Sequence, residues 1–143
     1  MIDKEICPIC EEGHLEQLMD KNPVEYKGHT TELDSYYSVC DACGCEQTNS
    51  TQMRDNKRKM LAFKKEVDGL LTGEEIRKIR SFLGITQNEA ATIFGGGTVA
   101  FSKYENNDVI QSVSMDKLLR VASEVPEAFH VLARKVGLDT RNV

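Results

Sequence analysis

Two Cys-x-x-Cys pairs, Cys7–Cys10 and Cys40–Cys43, constrain the first half of the chain more than any other feature. Structural zinc takes four soft ligands in a tetrahedron, and each such pair delivers two thiolates from one tight turn. The two pairs complete a four-thiolate shell, which leaves no open position for a catalytic water. We therefore predict one structural Zn²⁺ per chain, bound by Cys7, Cys10, Cys40 and Cys43 in a reducing compartment.

Three further side chains leave alternatives open at this site. Cys45 is spare and could exchange with Cys43 as a ligand, although the two-residue spacing from Cys40 favours Cys43. His14 and His29 could serve only if a cysteine did not, and they are more typical of surface histidines. A redox Cys-x-x-Cys is the rival interpretation of each pair, and the presence of two pairs argues against it.

The 29 residues between Cys10 and Cys40 are numerous enough to form structure of their own. Extended segments with alternating apolar residues flank a turn at 27–29, which predicts a small antiparallel sheet clamped by the metal. A unit of this size buries little apolar area, so we expect it to need the metal in order to fold. Three tyrosines could pack over the sheet or form a binding surface: Tyr26, Tyr36 and Tyr37.

Charge is distributed unevenly along the 143 residues, whose net charge is −5. Residues 1–50 hold eleven acidic side chains and three lysines, whereas acids and bases balance over 72–143. An acidic segment repels DNA and attracts a basic protein, although it can also be an ordinary solvated surface. No apolar run is long enough to span a membrane and no charged-then-apolar leader opens the chain, so we expect a cytoplasmic protein without membrane contact.

A basic helix is predicted to connect two domains. Ser50 and Thr51 are expected to cap a helix over about 52–70, with an apolar stripe that begins at Met53. The lysines and arginines of this helix could approach a DNA backbone, but a helix face with this many cations is more often simply solvent-exposed. Gly69 and the end of the helical pattern at 71–72 suggest a hinge. The predicted division is a zinc-binding domain over 1–50, a connecting helix and hinge over 51–71, and a helical domain over 72–143.

The stretch from Leu83 to Glu105 predicts two short helices with a glycine turn between them. Thr86 is a good N-cap, and Glu89 three residues later completes a capping box. Apolar residues at helical spacing follow, and the glycines at 95–97 end the first helix because glycine readily adopts the left-handed backbone needed there. A second helix begins at about Thr98, so the pair has the helix-turn-helix arrangement.

The outward side chains of this pair are the predicted DNA-binding residues. Gln87 directly follows the cap, where it can reach a phosphate, and Ser102 and Lys103 lie on the outer face of the second helix. A protein-docking helix pair without DNA contact is the alternative. The full predicted set is Thr86, Gln87, Thr98, Val99, Ser102 and Lys103.

Three more helices complete a predicted five-helix bundle. Thr72 begins a capping box for a helix that runs to about Leu83, Ser114 is expected to cap a fourth helix, and Pro126 to begin a fifth. The late helices carry more apolar surface than a small bundle needs, which suggests a homodimer contact that would place two recognition helices about 34 Å apart. The tail after Gly137 is expected to be loose.

With both features placed, the chain resembles the MqsA-type antitoxins. The matching segments run in the same order over nearly the whole chain to about Ala128: Cys7-Pro-x-Cys10, Cys40-x-x-Cys43, Ile85-Thr-Gln, Ile93-Phe-Gly-Gly-Gly, Ala100-Phe-Ser-Lys-Tyr-Glu105 and Leu118-Leu-Arg-Val121. The Phe-Gly-Gly-Gly turn is specific, because generic repressors have Gly-Val-Ser there. Val99 and Lys103 stand where the family's best-known member has an Asn and an Arg that read DNA, so the operator sequence does not carry over.

The resemblance implies an α+β protein with a toxin-binding zinc domain and a dimeric, operator-binding helix-turn-helix domain. Its implied function is that of a type II antitoxin, which neutralises a ribonuclease toxin and represses its own operon. We expect no enzyme activity, since the metal shell is full and Cys45 has no evident base partner. A stand-alone zinc-containing transcriptional regulator that responds to redox state through Cys45 is the alternative.

Overall fold

The structure, a computed structural model, describes residues 4–138 and confirms the α+β architecture. A three-stranded antiparallel sheet of order β1-β2-β3 precedes six helices. The strands are β1 (Leu15–Tyr26), β2 (His29–Cys40) and β3 (Glu46–Gln47), and the helices are α1 (Ser50–Val67), α2 (Gly73–Leu83), α3 (Gln87–Phe94), α4 (Ala100–Glu105), α5 (Val113–Glu124) and α6 (Pro126–Lys135). The chain divides after Met60, inside α1, into unit 1 and unit 2. None of these helices is long and apolar enough to cross a membrane.

A long hairpin forms most of unit 1. The 12 residues of β1 pair with the 12 of β2 from Leu15–Cys40 to Tyr26–His29. The two turn residues, Lys27 and Gly28, have φ of 49° and 81°, as a two-residue turn with the twist of a hairpin requires. Because β1 is an edge strand, it can include Pro23, which lacks the N–H that a central strand would need. The predicted turn is therefore confirmed, between strands longer than the sequence pattern indicated.

The first half of α1 contacts the sheet through polar groups rather than through the predicted apolar stripe. Met53 is 60% exposed, whereas Gln52 is buried and its Nε2 donates to Ser38 Oγ over 2.8 Å. The Asn56 side chain accepts from the Tyr36 N–H and donates to the Tyr36 carbonyl, as a neighbouring strand would. These bonds involve the backbone of Tyr36 and attach α1 to β2 at that position.

The cap of α1 also differs from the prediction. Asn49 Oδ1 accepts from the Gln52 N–H over 2.8 Å, and Gln52 Oε1 accepts from the Asn49 N–H over 3.0 Å. This reciprocal pair satisfies two N–H groups at the helix start, so the cap is Asn49 and not Ser50 or Thr51. The pattern was missed because Ser and Thr are equally good caps and directly follow Asn49 in the sequence.

The end of α1 and the residues after it pack inside unit 2. Lys65 is completely buried and its Nζ donates to the Tyr104 carbonyl over 3.1 Å, so a solvated position is wrong for this lysine. Leu71 is buried as well. Its N–H donates to Asp116 Oδ1 over 2.7 Å and its carbonyl accepts from Gln111 Nε2 over 2.8 Å. The backbone near the predicted hinge is therefore hydrogen-bonded on both sides.

The core of unit 2 is apolar and draws on every helix from α2 to α6. Its buried members are Leu71, Ile76, Leu83, Ala90, Ile93, Phe94, Phe101, Leu119, Ala122, Phe129 and Ala133. The capping boxes at Thr72 and Thr86 are confirmed, as is the start of α6 at Pro126. The prediction for α5 is wrong by two residues, because Ser112 and not Ser114 accepts the N–H of Met115. Apart from Leu138, the tail predicted to be loose lies outside the described residues.

Candidate metal centre and nucleic-acid interface

Four cysteine sulfurs converge at one end of the hairpin. Those of Cys7, Cys10, Cys40 and Cys43 all lie within 4.8 Å of one another. The Cys7 and Cys43 sulfurs are 3.9 Å apart, and those of Cys10 and Cys40 are 3.6 Å apart. A tetrahedron with zinc–sulfur bonds of about 2.3 Å has sulfur–sulfur edges of about 3.8 Å. The four side chains therefore fit a single metal ion, and a set of four sulfurs suits zinc.

Backbone N–H groups point at these sulfurs. Cys40 Sγ accepts from the N–H of Ala42 and of Cys43 over 3.3 and 3.4 Å, and Cys10 Sγ accepts from the Gly13 N–H over 3.4 Å. Such donors favour the thiolate, which is the form that binds a metal. The backbone N–H of Cys10 is the largest cause that lowers the pKa of Cys7 to about 6. At Cys40 the backbone N–H of Cys43 lowers the pKa as well, but burial and the neighbouring sulfurs raise it to about 11, so binding a metal there would release a proton.

The side chains that the sequence left as alternatives lie beside the cluster or apart from it. Cys45 Sγ is 3.7 Å from Cys7 Sγ and 3.2 Å from Cys43 Sγ, but it does not belong to the mutually close set of four. His14 and His29 are exposed and neither belongs to that set. The His14 backbone N–H instead donates to Asp41 Oδ1 over 2.8 Å.

In unit 2, α3 and α4 form the helix pair that the sequence predicted, with the glycine turn between them. Gly95, Gly96 and Gly97 have φ of 93°, 106° and 91°, a left-handed run that other residues rarely adopt. The second helix begins at Ala100, two residues later than predicted. Its buried face carries Phe101, whose ring lies 6.0 Å from that of Phe94 on α3. Aromatic packing therefore fixes α4 against α3.

Of the six predicted DNA-binding side chains, four are exposed and two are half-buried. Thr98, Val99 and Lys103 are exposed, and Val99 is 58% exposed. Ser102 is half-buried on α4. At the start of α3, Thr86 is exposed and Gln87 is half-buried. Val99 directly precedes buried Ala100 and Phe101, so it lies at the exposed start of α4.

Sequence reasoning missed the residue that anchors the end of α4. Glu105, the last residue of α4, is 4% exposed and accepts from Arg80 Nε and Nη2 over 2.8 and 2.9 Å. Arg77 Nε lies 3.4 Å from the same carboxylate. The available signal was helical spacing, because Glu105 is four residues after buried Phe101 and shares its face. A carboxylate on that face implies a buried cationic partner.

Comparisons with known proteins agree with this geometry. The family model described as "Antitoxin component of bacterial toxin-antitoxin system, MqsA" matches residues 5–132. The chain is also similar to "Antitoxin MqsA" of Escherichia coli (strain K12), at 33% identity over 123 residues. That alignment covers 85% of this chain and 94% of the relative.

The match takes in both the cysteine cluster and the helix-turn-helix pair, and it extends four residues beyond the expected limit at Ala128. Membership of an antitoxin family implies a cognate toxin as its partner and a regulatory role. The chain belongs to the MqsA family of antitoxins.

Proposed function

We propose that this antitoxin neutralises a ribonuclease toxin through its zinc-bound N-terminal half and represses its own operon by sequence-specific DNA binding. The observation that carries the proposal is the exposure of Val99 and Lys103 on a helix fixed from behind by Phe101. A helix that presents such a face on a rigid support is the usual element for reading the major groove. Membership of the antitoxin family supplies the toxin as the second partner.

The metal in this proposal is one structural Zn²⁺ held by Cys7, Cys10, Cys40 and Cys43. The fit of the sulfur separations to a zinc–thiolate tetrahedron supports it. Zinc supplies only bonds here, because four thiolates complete its shell. The ion would fix the base of the hairpin and supplement the small apolar cluster of Cys7, Leu15 and Cys40 in unit 1.

The division of labour follows the charge distribution. We propose residues 1–50 as the toxin-binding region, with 51–71 as the connection and 72–143 as the DNA-binding and dimerisation domain. Acidic side chains outnumber basic ones by eleven to three over 1–50, which suits a basic partner such as an RNA-binding enzyme and disfavours DNA. The balanced charge of 72–143 lets a locally basic helix face approach phosphates.

A homodimer through the late helices completes the proposal. Val121 of α5, Val125 between the two helices and Val131 of α6 are each more than 40% exposed. Apolar side chains at such positions favour burial against a second copy. Two copies related by a twofold axis would place their α4 helices in successive major grooves, about 34 Å apart.

The six predicted DNA-binding residues divide into two roles. Lys103 can donate to guanine O6 and N7, and Val99 can pack on a thymine methyl one helical turn away. Thr98 and Ser102 would adjust neighbouring contacts. Thr86 caps α3, and Gln87 with the free N–H groups at the start of that helix would hold phosphates without reading sequence.

The test is a binding selection with random duplexes at one fixed salt concentration, because phosphate contacts make affinity salt-dependent. Lys103→Ala should cost about 1–3 kcal/mol on the preferred site and relax choice at a single base position. Gln87→Ala is the control and should weaken all sequences about equally. If Lys103→Ala weakens every sequence alike and leaves the selected motif intact, Lys103 is a phosphate contact and the proposed reading face is wrong.

A stand-alone regulator is the alternative function. The product of the neighbouring gene distinguishes an antitoxin from such a regulator. A small basic reading frame next to this one, whose product binds this chain and degrades RNA when alone, agrees with the proposal. Expression of that frame should arrest growth, and co-expression of this chain should relieve the arrest. Relief that requires only residues 72–143 would contradict the assignment of the toxin to the N-terminal half.

A further inference from the structure

Cys45 is the cysteine that the four-sulfur cluster leaves over, and its nearest sulfur is that of Cys43. The two Sγ atoms are 3.2 Å apart, closer than the 3.6 Å between Cys10 and Cys40 or the 3.7 Å between Cys45 and Cys7. A single residue separates them in the chain. Two thiols in such contact need only a small side-chain rotation to reach bonding distance.

Of the five cysteines, all of which lie within the described residues, Cys43 alone is exposed. Cys10 and Cys45 are half-buried, whereas Cys7 and Cys40 are buried. A dissolved oxidant therefore meets Cys43 first. Susceptible cysteines are typically solvent-accessible and lie next to a second cysteine that completes the reaction.

A side-chain amide holds the second sulfur in place. Gln47 Nε2 donates to Cys45 Sγ over 3.0 Å and to Cys7 Sγ over 3.5 Å. Gln47 belongs to β3, which pairs with β2 at Ser38 and Val39. The sulfur of Cys45 is thus positioned from a strand, against the edge of the cluster that Cys7 and Cys43 form.

We propose that Cys43 and Cys45 form an oxidisable dithiol at the exposed corner of the metal site, with hydrogen peroxide as the oxidant. The Cys43 thiolate attacks peroxide, so that an S–O bond forms, the O–O bond breaks and hydroxide leaves. The Cys45 thiol then attacks the sulfenic sulfur; the S–S bond forms, the S–O bond breaks, and the thiol proton leaves with the hydroxyl as water. The two sulfurs together lose two electrons, and peroxide gains them.

This reaction would remove one metal ligand, since a disulfide sulfur is no longer a thiolate. The remaining three sulfurs would hold the ion more weakly, and peroxide would thereby loosen the base of unit 1. The consequence for the metal rests on the zinc centre proposed above. The dithiol itself rests only on the sulfur geometry and can be tested separately.

The experiment treats the purified full-length chain with peroxide, blocks remaining thiols by alkylation, and maps the tryptic peptides by mass. Cleavage after lysine and arginine places Cys7 and Cys10 on peptide 5–21, and Cys40, Cys43 and Cys45 on peptide 28–54. We expect peptide 28–54 to lose two hydrogens, to keep one alkylated cysteine at Cys40 and to return to its reduced mass with a thiol reductant. Peptide 5–21 should stay fully alkylated at both cysteines.

Cys45→Ser is the matched variant, because it removes the second thiol and leaves all four proposed ligands. Under the same peroxide it should stop at a sulfenic acid on Cys43, trapped by dimedone, and the wild type should give little of that adduct. A wild-type disulfide between any other two cysteines, or an equal dimedone yield in both proteins, would overturn the proposal. A chain isolated without metal that still forms the Cys43–Cys45 bond would contradict the zinc centre and support the dithiol.

Discussion

Unit 1, a three-stranded sheet with the first half of α1, differs from the helical unit 2 in what its interior is made of. In unit 1 the buried apolar cluster consists of Cys7, Leu15 and Cys40, two of which belong to the cysteine cluster. In unit 2 eleven buried residues form one continuous core. With the proposed metal bound, unit 1 relies on ligands and unit 2 on the hydrophobic effect, so each unit should fail under a different perturbation.

The two units also differ in whether their ionic side chains are exposed or buried. The hairpin of unit 1 carries its ionic groups at the surface, as in the exposed pair of Lys21 and Asp34. Unit 2 buries three ionic side chains, Lys65, Glu105 and Asp116, and gives each of them hydrogen bonds. Electrostatic changes should therefore have small effects on unit 1 and large ones on unit 2.

Metal removal should produce the largest difference between the units. Cys40→Ser, or a strong chelator, should unfold unit 1, because structural zinc supplies apparent binding free energy on the order of 10 kcal/mol in small domains. Unit 2 should keep its protection from proteolysis and hydrogen exchange. Cys45→Ser is the control and should keep one metal per chain; loss of metal with Cys45→Ser and retention with Cys40→Ser would reverse the ligand assignment.

The buried ion pair should give the next largest effect, confined to unit 2. Arg80 donates twice to Glu105, whose side chain is 0% exposed, so Arg80→Met would leave a carboxylate inadequately compensated. We expect a loss of about 3 kcal/mol in the unfolding free energy of unit 2. Arg77→Met is the matched control: its side chain is 53% exposed, and it should cost less than about 1 kcal/mol. Equal losses would show that the burial of the Arg80 pair has no energetic consequence.

The buried lysine predicts a pH dependence for unit 2. Burial lowers the pKa of Lys65 to about 8, while Asp116 opposes the shift. Between that pH and the unfolded value of about 10.4 the unfolded state binds more protons, so the free energy of unfolding rises with pH. Denaturant titrations of wild type and Lys65→Met across this window should show the rise only in the wild type. Parallel profiles would mean that Lys65 does not titrate there.

Two serines at the start of α5 give the smallest and most local test. Ser112 Oγ accepts the Met115 N–H, so Ser112→Ala should cost about 1 kcal/mol of unit 2 stability. Ser114 is exposed inside the first turn, and Ser114→Ala should change stability by less than about 0.5 kcal/mol. Thermal unfolding of the two variants side by side measures the difference. A larger loss of stability in Ser114→Ala than in Ser112→Ala would show that Ser114 is the N-cap, as the sequence suggested.

Much of this architecture could be predicted because its determinants are local. The capping boxes at Thr72 and Thr86 each involve a side chain and a partner three residues away, and both are present. The Cys-x-x-Cys spacing likewise fixes two sulfurs within one turn. Short-range geometry of this kind does not depend on where the rest of the chain lies.

The errors arose where distant segments decide the outcome. Lys65 looks like one of several solvated lysines until α4 places the Tyr104 carbonyl beside it, 39 residues further along the chain. Met53 looks like a core residue until the sheet offers Ser38 and Gln17 to Gln52 on the neighbouring face. Tertiary partners overrule helical periodicity in both cases, and a single sequence does not contain their positions.

The most direct test of the two-unit account measures both proposed partners on one full-length chain. Operator affinity and toxin affinity are compared between the wild type and Cys40→Ser at a single salt concentration. The account predicts that Cys40→Ser abolishes toxin binding, because unit 1 loses its metal, and that operator affinity is retained, because the core of unit 2 contains no metal ligand. Loss of operator binding together with toxin binding, or toxin binding that survives without the metal, would contradict it.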